Sequence, residues 1–125
     1  MTYFQNLDQI AKSLEVDPST RGDPIKRTFV IEGQHLTANV AIVRDTGNSL
    51  HTQKMHDEVL VIIEGGADFR VGDEVKQVQR GDLVFIPRDT LHGPIVKEGQ
   101  SFAALSVFAP QFDRSKNNIV WDRDA

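Results

Sequence analysis

The sequence predicts an all-β protein, a sandwich or barrel of short strands behind one short N-terminal helix. Two observations carry this. Helical spacing is confined to the first residues, and from residue 25 onward the apolar pattern has a period near two. The strand-like runs are also short and are separated by glycine-, asparagine- and aspartate-rich turn signals at the spacing typical of sandwiches and barrels.

Phe4, Leu7, Ile10, Ala11 and Leu14 recur at steps of three and four, which predicts an amphipathic helix starting near Asn6 or Asp8. Asp17 precedes Pro18 and should end it, since a residue before proline disfavours the helical region. The stretch 17–24, DPSTRGDP, reads as a loop. Strands follow at Ile25–Glu32 and Leu36–Arg44. In the second, Leu36, Ala38, Val40 and Ile42 share one face, and Thr37, Asn39, Ala41 and Val43 the other. Asp45–Ser49 is a turn cluster. Further strands are expected at Glu58–Glu64, Ala67–Val71, Glu74–Gln79, Leu83–Ile86, Pro94–Lys97 and Phe102–Phe108, with Gly65-Gly66, Gly72 and Gly81 as turn glycines. The tail 109–125 is polar apart from Phe112, Ile119, Val120 and Trp121, and is expected along the outside of the barrel. In Glu58–Glu64 both faces are apolar: Val59, Val61 and Ile63 alternate with Leu60 and Ile62. An outer barrel face should be polar, so something covers it, and a homodimer is the expectation.

Composition bounds the rest. A chain of 125 residues with 39% hydrophobic and 26% charged residues fits one soluble globular domain over 1–125. A formal charge of −4 argues against nucleic acid or an anionic membrane as partner. The chain has no cysteine, so any metal must be held by nitrogen and oxygen donors. No run is long and apolar enough for a membrane span, and the N-terminus lacks the pattern of a signal peptide, so the expected location is cytoplasmic.

Two stretches concentrate chemistry. The first, LHTQKMHDEVLVIIEGG from Leu50 to Gly66, holds His51, Gln53, His56 and Glu58. The second, from Gly81 to Pro94, holds Pro87 and His92. In order and spacing they resemble the paired motifs of the cupin superfamily, roughly G-x5-H-x-H-x3-4-E-x6-G and G-x5-P-x-G-x2-H-x3-N. Motif 1 falls at about 45–65 and motif 2 at about 81–96. His51, Glu58 and Gly65 fit the longer form of the first, and Gly81, Pro87 and His92 fit the second. Four positions depart: Gln53 replaces the second histidine, the leading glycine is displaced although Gly47 lies close by, Asp89 replaces a glycine and Val96 an asparagine.

The resemblance implies a cupin-type jelly-roll β-barrel with a short N-terminal helix, and a metal site at His51, Gln53, Glu58 and His92. His51 and Gln53 are two apart, so on a strand they face the same way. Glu58 is an odd step beyond Gln53, and a bend or bulge in 54–57 must restore its facing. Two imidazoles and a carboxylate suit a divalent transition metal, Fe(II) first, with Mn, Ni or Zn able to use the same donors. Three roles are open to Gln53: an oxygen ligand, a hydrogen-bond partner of metal-bound water, or the mark of a site that has lost its metal. His56 could supply the missing imidazole if the bend turns it inward; the resemblance instead makes it a bystander, an exposed turn residue. His35 is given no role, and Arg44, Arg70 and Arg88 read as solvated. Phe69, Phe85, Phe102 and Phe108 read as core.

The function this implies is a metal-dependent enzyme, a dioxygenase, isomerase, epimerase or lyase acting on a small oxygen-containing metabolite in the barrel. The alternative is a non-catalytic cupin that binds or senses a small molecule at a weakened or vacant metal site. Catalytic residues beyond the metal ligands are not assigned by the sequence.

Overall fold

The computed structural model describes residues 3–44, 49–113, 115–116 and 118–122. Positions 45–48 of the expected turn cluster, Gly47 among them, lie outside these. One helix, α1 (Leu7–Glu15), is followed by a single 3-10 turn at Pro18–Thr20 and nine strands. These are β1 (Ile25–Glu32), β2 (Thr37–Val43), β3 (His51–Gln53), β4 (Asp57–Val71), β5 (Glu74–Gln79), β6 (Leu83–Ile86), β7 (His92–Ile95), β8 (Ser101–Ala109) and β9 (Ile119–Trp121). They hydrogen-bond in the order β1-β2-β8-β4-β7-β3-β9, with β5 and β6 also paired to β4. This curled sheet is the expected jelly-roll barrel.

The helix starts where its cap is. Asn6 is extended, and its side-chain oxygen accepts the Gln9 N–H at 3.0 Å. Ala11 and Leu14 are buried against Val40, Ile42 and Ala103, with Leu7 and Ile10 packed alongside. Phe4, expected on this face, precedes the helix and is exposed. At the other end the Lys26 ammonium donates to the Glu15 carbonyl at 2.7 Å, which satisfies an orphan carbonyl with a cation. Lys26 is thereby buried on the outer face of β1, and its neighbours Ile25 and Arg27 must face inward.

Every residue of β2 is buried. Its outer residues Val40 and Ile42 lie under α1, and its inner residues Ala41 and Val43 join the main core with Leu60, Ile62, Ala67, Phe69, Ile86, Phe102 and Ala104. The outer face of β4 is covered only in part. Ile63 packs beneath the helix cluster, while Val59 and Val61 are half-buried and lie opposite Phe85 and Leu83, which are 57% and 69% exposed. Phe85 is therefore on the surface and not in the core, because β6 points its alternate side chains outward.

Three other expectations are corrected. Gly65 and Gly66 make no turn: β4 runs unbroken through both, passing from its pairing with β8 to its pairings with β5 and β7. A bulge between Ile62 and Glu64 flips the parity, so that Ala67 and Phe69 face the same core as Leu60 and Ile62. Gly65 is needed for a different reason: its φ is 74°, and a Cβ would collide with the Ser101 carbonyl oxygen. The apolar residues of the tail are not all along the outside. Residues Ile119–Trp121 pair with β3, setting Trp121 opposite His51, and Phe112, Ile119 and Trp121 line the interior cavity. Strand β7 also starts earlier than expected, at His92, because that residue pairs with both His51 and Val71.

Candidate functional site

Strands β3, β4 and β7 bring the four candidate residues to one wall of an interior cavity of about 160 Å³. His51 and His92 sit opposite each other in the β3–β7 register, with ring centroids 4.3 Å apart. Gly93 permits this closeness, since a Cβ there would come within 2.8 Å of the Ser49 carbonyl oxygen. Residues 54–56 bend between β3 and β4, and the odd step is absorbed: Gln53 Nε2 donates to Glu58 Oε1 at 3.2 Å. The Gln53 side chain is further held by its backbone, whose carbonyl accepts the Asp89 N–H at 2.9 Å. Asp89 has a φ of 65°, so the residue that replaces a family glycine still adopts the left-handed conformation that glycine favours.

The two histidines are oriented alike. Nδ1 of His51 lies 2.8 Å from the Ser49 carbonyl oxygen, and Nδ1 of His92 lies 2.8 Å from that of Thr90. A carbonyl only accepts, so each Nδ1 carries a proton, and a ring that carries no second proton has its Nε2 lone pair free. In His92, Nε2 faces Glu58 Oε1 at 3.6 Å and is buried with no hydrogen-bond partner among the described residues. Gln53 Oε1 is buried and orphaned in the same way. With His92 Nε2 unprotonated, two acceptors face each other and need something positive between them. A second proton on His92 would do it, and so would a metal cation, since two donors each about 2.1 Å from one metal stand roughly 3–4 Å apart. The donor set thus fits a metal. It is not preassembled as one, for among the described residues no three His, Cys, Asp or Glu side chains stand close enough to form a shared site.

Electrostatics favour a neutral His51 and an ionised Glu58. Burial is the main cause that pushes His51 down to about 4, and the neighbouring His92 adds to it. Burial alone would raise the Glu58 carboxyl, but His92, the Ser106 hydroxyl and the field of His51 outweigh it and hold Glu58 below the usual carboxylate range.

His56 is not the exposed turn residue expected. It is 1% exposed, wedged between Phe108 and Phe112 at centroid distances of 4.7 and 5.4 Å, and does not line the cavity. His35 is exposed, Arg44 pairs with Glu15, Arg70 donates to the Gly72 carbonyl at 2.7 Å and Arg88 lies on the exposed loop beside Asp89. Three cavity residues escaped the sequence reading: Arg27, Asn39 and Trp121. For Arg27 a signal existed, since it alternates between Ile25 and Phe29 on an otherwise apolar strand face.

With this geometry in hand, comparison with known proteins identifies the family. The cupin domain profile matches residues 38–108, more than half of the chain. The chain belongs to the cupin family. Among solved structures it is similar to TT1209 from Thermus thermophilus, with a TM-score of 0.73, 19% identity and coverage of 89% of this chain and 100% of that one. KdgF from Halomonas sp. superposes with a TM-score of 0.67 at 22% identity, covering 77% and 87% of the two chains. Pac13 from Streptomyces, described as a nucleoside dehydratase and solved with uridine, gives 0.64 at 17% identity, covering 78% of this chain. At these identities the likeness is one of fold. A comparison with curated proteins finds no match. Among the described residues no helix is long and apolar enough to cross a membrane.

Proposed function

We propose that this cupin is a small metal-dependent enzyme in which His51, Gln53, Glu58 and His92 hold a divalent transition metal. Fe(II) is the first choice, with Mn, Ni or Zn as alternatives, and a small oxygen-containing metabolite occupies the cavity. The single observation that carries this reading is the unbridged approach of His92 Nε2 to Glu58 Oε1, on a histidine whose Nδ1 is already tied to a carbonyl. A second hydrogen bond of that kind is what fixes the tautomer and aim of metal-ligating histidines. When bound, such a metal supplies a Lewis acid for a substrate oxygen or, as Fe(II), a site that activates dioxygen. The chain's own residues hold the donors in place and, through Phe69, Phe102, Phe108 and Trp121, keep the cavity wall apolar. The reaction classes that fit are dioxygenase, isomerase or epimerase, and lyase.

The test is metal content. The chain purified without a histidine tag should carry near-stoichiometric transition metal, or take it up when Fe(II), Mn(II), Ni(II) and Zn(II) are offered in turn. Failure to bind any of them would sink the proposal.

The second reading is a non-catalytic cupin that binds or senses a small molecule. It is favoured by the Gln53 amide, which spends its N–H on Glu58 and so satisfies one carboxylate oxygen without a metal. Ligand binding to a chain that takes no metal would select it.

We further propose a homodimer built on the bare outer patch of Val59, Val61, Leu83 and Phe85. Sedimentation at micromolar concentration should give twice the 14.0 kDa chain mass. A single-chain species there would remove the dimer.

A further inference from the structure

A polar stripe crosses the inner face of four neighbouring strands. Arg27 on β1 stands opposite Ala41 of β2, and Asn39 lies two residues along on the same inner face. Asn39 pairs in register with Ser106 of β8, and Ser106 lies opposite Leu60, two residues from Glu58 on β4. All four polar side chains line the cavity, between Phe29, Phe69, Phe102 and Phe108.

The two ends of the stripe differ. At the β4 end Glu58 is engaged by Gln53, His92 and Ser106. At the β1 end, Arg27 takes no hydrogen bond or ion pair among the described residues, whereas the nearby Lys26 and Arg44 each have a partner. Arg27 is partly in solvent at the cavity mouth, which an arginine tolerates without any partner. Asn39, in contrast, is 2% exposed, and its side chain lines the same cavity. A buried amide wants a partner, and this one faces a cavity whose only arginine or lysine, among the described residues, is Arg27. The guanidinium is also near enough for its charge to be felt at Glu58 and His51.

We infer that the cavity takes a small organic acid whose carboxylate docks on Arg27 and the Asn39 amide, with its other oxygen directed along the stripe toward Glu58 and the two histidines. Guanidinium and carboxylate match in shape and charge, and the apolar walls accept a short carbon chain between the two poles. A cavity of about 160 Å³ admits an acid of about three to five carbons. This rests on the cavity being the substrate site, as proposed above, and does not require the metal.

The experiment is a calorimetric titration of the full chain, metal-free and metal-loaded, with pyruvate, lactate and 2-oxobutyrate against their uncharged amides. The expected result in the metal-free chain is carboxylate binding that exceeds amide binding at least tenfold. Arg27→Gln should remove that preference, Arg27→Lys should restore part of it, and the metal content of Arg27→Gln should match the parent. Equal binding of acid and amide, unchanged acid affinity in Arg27→Gln, or no binding of any probe would each overturn the inference. If Arg27→Gln does not fold, the acid-against-amide comparison on the parent chain decides alone. A chain that binds no metal but prefers acids through Arg27 retains this inference and loses the metal; one that binds metal but ignores Arg27→Gln does the reverse.

Discussion

His92 and His56 are equally buried, each 1% exposed, yet their surroundings differ in kind. His92 is tied through Nδ1 to a carbonyl and turns Nε2 toward a carboxylate. His56 lies between two phenylalanine rings with neither nitrogen partnered among the described residues. Burial therefore does not make a ligand; the fixed tautomer and the charge it faces do. His51 shares the first arrangement, with its own carbonyl partner, and lines the same cavity.

The largest expected effect tests that contrast directly. His51→Ala and His92→Ala should each lower metal affinity about a hundredfold or more, while His56→Leu leaves metal per chain unchanged. Each ligand's loss removes a donor and strands the remaining charge, and effects of that size follow even from losing a partner of the ligand. Metal analysis of the three purified variants settles it. Loss of metal in His56→Leu with retention in His92→Ala would invert the assignment.

Acidification should come next. The His51 imidazole is held down to about 4 from an ordinary value of 6.5. Between those pH values the unfolded chain binds a proton that the folded chain does not, so stability falls as pH drops through the window. The full effect is about 3 kcal/mol. Glu58, held below its usual range, acts in the same direction at lower pH: its contribution is lost as pH falls through its folded value. Urea unfolding of the metal-free protein between pH 7 and pH 4 should show the decline, and His51→Gln should flatten most of its upper part. An unchanged slope in His51→Gln would place the proton uptake elsewhere.

How far the site is legible in the sequence divides along the same line. Strands Ile25–Glu32, Glu74–Gln79 and Leu83–Ile86 can be read to the residue, because alternation and turn residues are local signals. The meeting of Gln53 with Glu58 can also be foreseen, since a bend is required by parity alone. Long-range consequences are less visible. Nothing in HTQKMHDE separates His56, buried among rings supplied by residues 108 and 112, from an exposed turn residue. Trp121 reaches the cavity only because β9 pairs with β3, a contact across most of the chain. Gly65 reads locally as a turn, and only the approach of β8 shows that it is an unturned crossing point.

Gln53→His sharpens the comparison from the other side, by building a third imidazole where the family pattern has one. It replaces a weak amide donor and removes the hydrogen bond that occupies Glu58. Metal affinity should rise about tenfold, equivalent to about 1.4 kcal/mol. Competition against a chelator measures it. An affinity equal to the parent's would mean that position 53 does not touch the metal.

The smallest effect concerns stability, and it has an unusual sign. Most buried substitutions destabilise. His56 is an exception in prospect, because a neutral imidazole there buries an N–H and a lone pair without partners among the described residues. Each such group costs about 1–3 kcal/mol relative to a satisfied one, and replacing it by an apolar side chain of similar size recovers that cost. Against this stands the loss of ring contacts with Phe108 and Phe112, worth about 0.5–1.5 kcal/mol each. His56→Leu should therefore be neutral to about 1 kcal/mol more stable in urea unfolding of the metal-free chain at pH 7. Burial also pushes the His56 imidazole down, so the variant's advantage should widen as pH falls and the unfolded parent gains a proton there. A variant less stable than the parent by more than about 1 kcal/mol would mean that the two nitrogens are satisfied after all, and the line drawn between His56 and His92 would have to be withdrawn.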